Sequence, residues 1–297
     1  MRRIAPLGGI ALAITLTLAG CSSPAPSSTA LHSPTIATTA GREVTLGQPG
    51  SSILGSPTDT SILVNTLATQ GMKLVISYGT EEKNLTEQTA PQVSETGEPI
   101  VSVLDGLHAN TTYFYSVAIA SGNEYSAGPT QSFHTAATAG ETFSFGVQGD
   151  SHPEREGKMF DPALYAQNAT HATTANLDFY MLMGDDFSIE KLIEDGSLSQ
   201  QTVNDRYLLQ RGYLDGLGSV SPIFAVNGNH EEAARYLLND TGANPAVYAG
   251  NARNTYFPLP APGDFYTGDS EEVPGVGLLH DYYAYTWGDA LFVVIDP

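Results

Sequence analysis

Residues 143–152 read FSFGVQGDSH, an apolar run that ends abruptly in glycine, aspartate and histidine. The same arrangement follows twice further along the chain. Residues 179–186 read FYMLMGDD, and residues 222–231 read PIFAVNGNHE. Between these strand candidates, Ala-rich residues 162–176 and residues 200–217 have the composition and spacing of helices. Strand, helix, strand, helix and strand in this order predict an α/β layer built around a buried sheet.

The three polar clusters all follow their strands, at the sheet edge where ligands of α/β proteins collect. Asp150 and His152 are two residues apart, so in an extended segment both side chains reach one cation. Asp185 offers two oxygens, enough to bridge two cations, and Asn229 offers an amide oxygen. This donor set suits Mn, Fe, Zn or Co. An acid after a strand is often only a turn former or a helix cap. The metal-site interpretation therefore rests on finding three such clusters in order, each directly after an apolar strand.

The GDSH, GDD and GNHE motifs resemble the first three motifs of the calcineurin-like metallophosphoesterases. The resemblance covers residues 141–297, and the chain before it is similar to the N-terminal domain of purple acid phosphatases. It implies an αββα sandwich that hydrolyses a phosphomonoester or phosphodiester with a hydroxide activated by two metal ions. Residues 282–285 and 291–296 are expected to form the family's later hairpin.

Carried over to this chain, the resemblance implies that Asp150 and His152 bind one metal. It implies that Asp185 bridges both metals and that Asn229 binds the other. The neighbouring His230 is then expected to contact the phosphate or to assist the leaving group.

Four further residues near these motifs remain open to interpretation. Glu231 is expected to orient His230 or to sit at the start of a helix, where a carboxylate suits the helix dipole. Asp186 is either a residue behind the metal ligands or a capping acid. Arg155 is either a substrate-facing cation or, by preference, a solvated loop residue. Ser188 stands where purple acid phosphatases have an iron-binding tyrosine, which together with His152 favours the histidine-liganded branch.

Residues 41–137 carry short β-rich runs between turn signals and predict a sandwich of the fibronectin III or immunoglobulin type. The segment 104–115 resembles the corner of such domains, in which a tyrosine enters a strand and bonds back to the backbone. A spacer is favoured over a carbohydrate- or protein-binding module, and His108 and His134 are expected to be ordinary surface or turn residues. The predicted fold class is therefore an all-β sandwich followed by an α/β domain.

The first 21 residues have the layout of a secretory signal and end in Leu18-Ala19-Gly20-Cys21, which resembles a bacterial lipobox. The alternative is a plain signal peptide that happens to end at a cysteine. Residues 22–40 are rich in Ser, Pro and Thr and predict a flexible tether. The expectation is a protein lipidated at Cys21 and anchored to a bacterial membrane on its extracytoplasmic side.

The formal net charge of −20 excludes a general affinity for nucleic acid or anionic lipid headgroups. A small phosphoester substrate would then depend on local cations, which agrees with a metal site. The single cysteine excludes an internal disulfide framework.

The family supplies further histidine ligands downstream of these motifs, and this chain has none after His280. We therefore expect a C-terminally incomplete sequence and a structural or surface role for His280. The alternative function is a non-catalytic, surface-anchored binding protein with a vestigial metal site.

Overall fold

Short strands dominate the structure, a computed structural model that describes residues 47–232 and 244–295. The predicted signal peptide, the lipobox with Cys21 and the tether lie outside the described residues. The first nine strands are β1 (Ser52–Gly55), β2 (Ile62–Thr66), β3 (Lys73–Gly79), β4 (Glu87–Gln88), β5 (Gln92–Val93), β6 (Ile100–Leu104), β7 (Thr112–Ser121), β8 (Glu124–Ala127) and β9 (Gln131–His134).

The remainder of the described chain alternates strands and helices. The strands are β10 (Phe145–Gln148), β11 (Phe179–Leu182), β12 (Ile223–Ala225), β13 (Thr267–Gly268), β14 (Glu272–Val273), β15 (Gly277–Leu278), β16 (Tyr283–Trp287) and β17 (Ala290–Val294). The helices are α1 (Pro162–Thr174), α2 (Glu190–Glu194), α3 (Gln200–Gly218), α4 (Asn229–Glu232) and α5 (Pro245–Tyr256). None of the helices in the described ranges is long and apolar enough to cross a bilayer.

The two predicted helices are present and begin at clear caps. The Asp161 side chain accepts hydrogen bonds from the backbone nitrogens of Ala163 and Leu164 at the start of α1. Ser199 and Thr202 form a reciprocal capping box at the start of α3. Such caps satisfy backbone donors that a helix leaves without partners, which fixes where each helix begins.

The main sheet has six strands in the order β10-β11-β12-β1-β2-β6. Strands β10, β11 and β12 are parallel, as the α/β interpretation predicts, and β1 continues this parallel set beside β12. Strands β1, β2 and β6 then run antiparallel. The regions 41–137 and 141–297 therefore share one sheet through the β1–β12 pair.

Alternating side chains along these strands divide the core in two. Tyr180, Leu182 and Ile223 face the helices α3 and α5. Phe179 and Phe224 face the opposite side and pack against the sheet β13-β16-β17, in which β16 and β17 form the predicted antiparallel hairpin. The layers in this part are therefore helices, sheet and sheet.

Strands β4, β3, β7 and β8, with β5 and β9 attached, form another six-stranded sheet that packs over β1, β2 and β6. Strands β14 and β15 pair with each other as a separate two-stranded sheet. The predicted corner is present, because the Tyr113 hydroxyl oxygen accepts a 3.0 Å hydrogen bond from the backbone nitrogen of His108. His134, expected to be an ordinary surface or turn residue, makes a specific contact. Its Nδ1 lies 2.8 Å from a carboxylate oxygen of Asp178, just before β11. The hydrogen bonds to His134 and to Ser144 N, together with the charge of His134, outweigh burial and lower the pKa of Asp178.

Candidate functional site

The loops that follow β10, β11 and β12 are hydrogen-bonded to one another. The backbone nitrogen of Asp150 donates to the carbonyl of Gly184 over 3.1 Å, and that of His152 donates to the carbonyl of Asp186 over 3.0 Å. The third loop joins them, because the backbone nitrogen of His230 donates to Asp185 Oδ1 over 2.9 Å. The three predicted clusters therefore meet at one edge of the sheet.

Three of the predicted metal ligands have left-handed backbone conformations. The φ angles are 57° at Asp150, 45° at His152 and 53° at Asp185. A side chain with a Cβ atom adopts this region at a cost of about 1–2 kcal/mol per residue. Such residues persist only where the surroundings impose them, and they concentrate at functional sites.

The glycines of the second and third motifs permit the close contact of their loops. A Cβ atom on Gly228 would lie 2.3 Å from Asp185 Oδ1 and 2.4 Å from the Asp185 backbone nitrogen. A Cβ atom on Gly184 would lie 2.1 Å from the backbone nitrogen of Gly228. The tight approach explains why glycine stands at both positions and sets where the Asp185 carboxylate lies.

Glu231 holds the Asp185 loop through the backbone. One carboxylate oxygen accepts from the nitrogens of Asp185 (2.8 Å) and Gly228 (2.9 Å). The other accepts from Asp186 (2.6 Å) and Phe187 (3.3 Å). Burial raises the pKa of Glu231, and these backbone donors oppose the rise. Of the two interpretations of Glu231, the position at a helix start agrees with the structure, because Glu231 lies in the first turn of α4. Its hydrogen bonds go to the loop and not to His230.

Asp186 caps no helix in the described chain and lies buried behind the motif loops. Its Oδ1 accepts from Ser151 Oγ (3.0 Å), Gln210 Nε2 (3.1 Å) and Gln148 Nε2 (3.4 Å). Burial holds the pKa of Asp186 well above its ordinary value, and the Glu231 carboxylate raises it further. Asp186 therefore supports the loops from within, and Asp185 is the less buried of the two.

Each motif histidine has one ring nitrogen bound to a glutamate. His152 Nδ1 lies 3.0 Å from Glu154 Oε1, and His230 Nδ1 lies 2.7 Å from Glu190 Oε1. A carboxylate accepts hydrogen bonds, so these contacts favour hydrogen on Nδ1 of each ring and leave Nε2 without a glutamate contact. The two rings meet edge to face with centroids 5.0 Å apart. A carboxylate behind Nδ1 is the usual support of a metal-binding or proton-transferring histidine.

The donor set and its supports fit metal ions, although the side chains are not drawn together. Asp150 and Asn229 are exposed, while Asp185 and His230 are half-buried and His152 is buried. Within residues 47–232 and 244–295, no group of three or more His, Cys, Asp or Glu side chains is arranged to hold a metal. Asp150, His152, Asp185 and Asn229 nevertheless combine carboxylate, imidazole and amide donors at one edge, and the carboxylates repel one another unless a cation lies between them.

Two other candidates have structural contacts. Arg155 Nε lies 3.5 Å from Glu154 Oε1, so the Arg155 guanidinium pairs with a glutamate of the site. His280 Nδ1 lies 2.7 Å from the carbonyl of Pro260, and burial lowers the pKa of His280. The structural role expected for His280 agrees with this contact.

Sequence reasoning missed Glu154 and Glu190. Glu154 follows His152 by two residues on a 3₁₀ turn (Pro153–Arg155), and Glu190 is the first residue of α2. The proximity of Glu154 to the GDSH motif was the available signal. Glu190 reaches His230 from 40 residues earlier in the chain, so spacing alone gave no signal for it.

No protein-family model matches this sequence, and no curated protein matches it. Two solved structures resemble its fold. The structure of PhoD aligns with a TM-score of 0.58 and 17% identity over 84% of this chain and 52% of that chain. The purple acid phosphatase from yellow lupin (Lupinus luteus) seeds aligns with a TM-score of 0.55 and 16% identity over 82% of this chain and 44% of that chain. This chain therefore spans about half the length of either structure and shares their fold.

Proposed function

We propose that this chain is a metal-dependent phosphoester hydrolase, acting on a phosphomonoester or a phosphodiester, of the calcineurin-like metallophosphoesterase type. The observation that carries the proposal is the pair of imidazoles at the meeting point of the three motif loops. The rings lie 5.0 Å apart, and each has Nδ1 on a glutamate and Nε2 left available. The fold shared with two phosphatases supports the same conclusion.

The four donors of the motif loops would hold two cations from the set Mn, Fe, Zn and Co. Asp150 and His152 would bind one, Asp185 would bridge, and Asn229 would bind the other. When bound, such ions polarise a phosphoryl oxygen and lower the pKa of a water molecule towards neutrality. The second ion has only Asp185 and Asn229 among the described residues, so we expect it to bind more weakly.

His230 is the residue we assign to the leaving group. Its backbone nitrogen bonds Asp185 Oδ1 and its Nδ1 bonds Glu190, so two contacts fix the ring beside the bridging carboxylate. The Glu190 carboxylate occupies Nδ1 and leaves Nε2 for the substrate. Nε2 can then donate a proton to the departing oxygen as a general acid.

The setting of the reaction follows from the sequence. Lipidation at Cys21 would anchor the protein to a bacterial membrane, and the tether would place the hydrolase on the extracytoplasmic side. The substrate would be a small phosphoester, and the acidic chain is not expected to bind nucleic acid. The proposed fold is a fibronectin III-like sandwich joined to an αββα metallophosphoesterase layer arrangement.

The test is phosphate-ester hydrolysis by the full-length protein after loading with Mn, Fe, Zn or Co. A nitrophenyl phosphate monoester and the corresponding diester distinguish the two activities. Asp185→Asn should lower kcat/KM by about 100-fold or more, since even a residue behind the ligands is worth ~10–100-fold. Asp195→Asn is the matched control, because Asp195 is an exposed acid that pairs with Lys191.

Two outcomes would count against the proposal. An Asp185→Asn variant as active as Asp195→Asn would overturn the site assignment. Absence of metal-dependent turnover with either ester would favour the non-catalytic binding protein with a vestigial metal site.

A further inference from the structure

Ser188 connects the two glutamates that support the site histidines. Its backbone nitrogen donates a 3.0 Å hydrogen bond to Glu154 Oε1, the same oxygen that lies beside His152 Nδ1. Its hydroxyl donates to Glu190 Oε2, the other oxygen of the carboxylate that binds His230. One residue, 5% exposed, thus contacts the supports of both imidazoles.

We propose that Ser188 is a positioning residue that fixes the ring of His230 through its hydroxyl and the ring of His152 through its backbone. The proposal rests on the proposed function only for its effect on turnover. Its structural part concerns which nitrogen of each ring carries hydrogen in the metal-free protein.

Ser188 contacts the two glutamates in different ways, Glu154 through its backbone and Glu190 through its hydroxyl. The Glu154 side chain is 5% exposed, and its Oε2 has no hydrogen-bond partner within the described chain. Its hydrogen bonds therefore converge on Oε1, and the one from Ser188 is a backbone bond that any non-proline residue would supply. His152 should be insensitive to the side chain at position 188.

The Glu190 branch depends on the side chain itself. Glu190 is 26% exposed, and the hydroxyl of Ser188 and the ring of His230 are its contacts in the described chain. Without the hydroxyl, this half-exposed carboxylate loses the contact that sets its direction and is free to turn towards water. His230 should then lose its preference for hydrogen on Nδ1, which places the Nε2 lone pair at the site.

The length of the side chain at position 188 is what permits this contact. A serine hydroxyl reaches a residue two positions ahead in the chain, at the first turn of α2.

The experiment compares Ser188→Ala, Ser188→Thr and Ser221→Ala in the full chain without metal. Ser221 is the matched control, a 1% exposed serine whose hydroxyl bonds Leu177 O at the other end of β12. Nitrogen-15 NMR of histidine-labelled protein reports which ring nitrogen carries hydrogen, at a fixed pH above the titration range of histidine. Assignment uses His152→Gln and His230→Gln.

The expected result is specific to one ring. Ser188→Ala should convert His230 from the Nδ1–H form to a mixture of both forms while His152 remains unchanged. Ser188→Thr should retain the wild-type spectrum, and so should Ser221→Ala. A His230 spectrum unaffected by Ser188→Ala would overturn the proposal, as would equal changes in both rings or in the Ser221→Ala protein.

Turnover then tests the consequence for catalysis. Metal-loaded Ser188→Ala should lose about 10-fold in kcat with KM nearly unchanged, in the range for residues behind a catalytic group. An unchanged kcat beside an altered His230 spectrum would overturn the catalytic role. A wild-type protein with the expected spectra and no turnover would instead overturn the proposed function, because the spectra need neither metal nor substrate.

Discussion

The backbone clamp formed by Glu231 gives the most quantitative prediction. Glu231→Gln replaces one carboxylate oxygen by an NH₂ group, which would face two backbone N–H groups instead of accepting from them. Replacing Oε2 abandons the bonds from Asp185 and Gly228, both under 3.0 Å. If the NH₂ group takes the place of Oε1, one short bond from Asp186 and one long bond from Phe187 are lost. This orientation of the amide therefore costs less free energy.

The cost follows from these distances. A buried donor left without an acceptor costs about 1–3 kcal/mol, so one strong and one weak bond cost about 2–4 kcal/mol together. Relief of the charge that is buried beside Asp186 offsets part of this cost. We expect the free energy of unfolding of metal-free protein to fall by about 2 kcal/mol.

Urea unfolding of the metal-free chain measures this difference at an unchanged m-value. Glu194→Gln is the matched control, the same chemical change on a side chain that is 67% exposed, with an expected effect within about 0.5 kcal/mol. If Glu231→Gln and Glu194→Gln unfold at the same urea concentration, the clamp does not hold the Asp185 loop.

Three further predictions concern other parts of the chain. Burial raises the pKa of Asp215 from 3.8 to about 6. The protonated carboxyl therefore stabilises the fold below pH ~4, and up to about 3 kcal/mol of this stability is lost as the pH rises to ~6. Unfolding of the Asp215→Asn variant, measured against pH, should not show this loss. Cys21→Ser should release the protein from membranes, and fractionation with membranes as before would refute the anchor. Ferric-loaded protein should show no intense tyrosinate band in its visible spectrum, because Ser188 replaces the tyrosine, and such a band would contradict the histidine-liganded assignment.

The part of the fold nearest the site could be predicted from sequence because two signals coincide there. The strands β10, β11 and β12 are apolar runs, and each ends in a glycine followed by a polar ligand candidate. Parallel strands bring their carboxyl ends to one edge, so the meeting of the loops that carry Asp150, Asp185 and Asn229 follows from topology alone. The tyrosine corner at Tyr113 was likewise predictable, since its hydrogen bond spans only five residues.

The remainder required three-dimensional contacts with no local pattern. The β1–β12 pair joins one residue pair, Gly55 and Ile223, and neither strand exceeds four residues. The support of His230 by Glu190 depends on where α2 begins relative to the third loop. The helix-start position of Glu231 was predictable, but its contacts with the second loop were not, because a carboxylate next to a histidine suggests a contact between neighbours.

The shared sheet has a consequence for how the protein is made. β1 and β2 are close in the chain and pair with each other, yet the other side of β1 pairs with β12, which lies 223 − 55 = 168 residues later. Parallel neighbours cannot be joined by a tight hairpin, and closing so long a loop costs entropy before any contact repays it.

A chain synthesised from its N-terminus therefore carries an unpaired β-edge until β12 emerges. Open edges recruit strands from other chains, so this interval is when the protein is most exposed to aggregation. Once β12 is in place, its pairing with β1 joins the sheet of residues 47–137 to the strands that carry the three motif loops. Translation or export that stops before residue 225 leaves β1 without its neighbour.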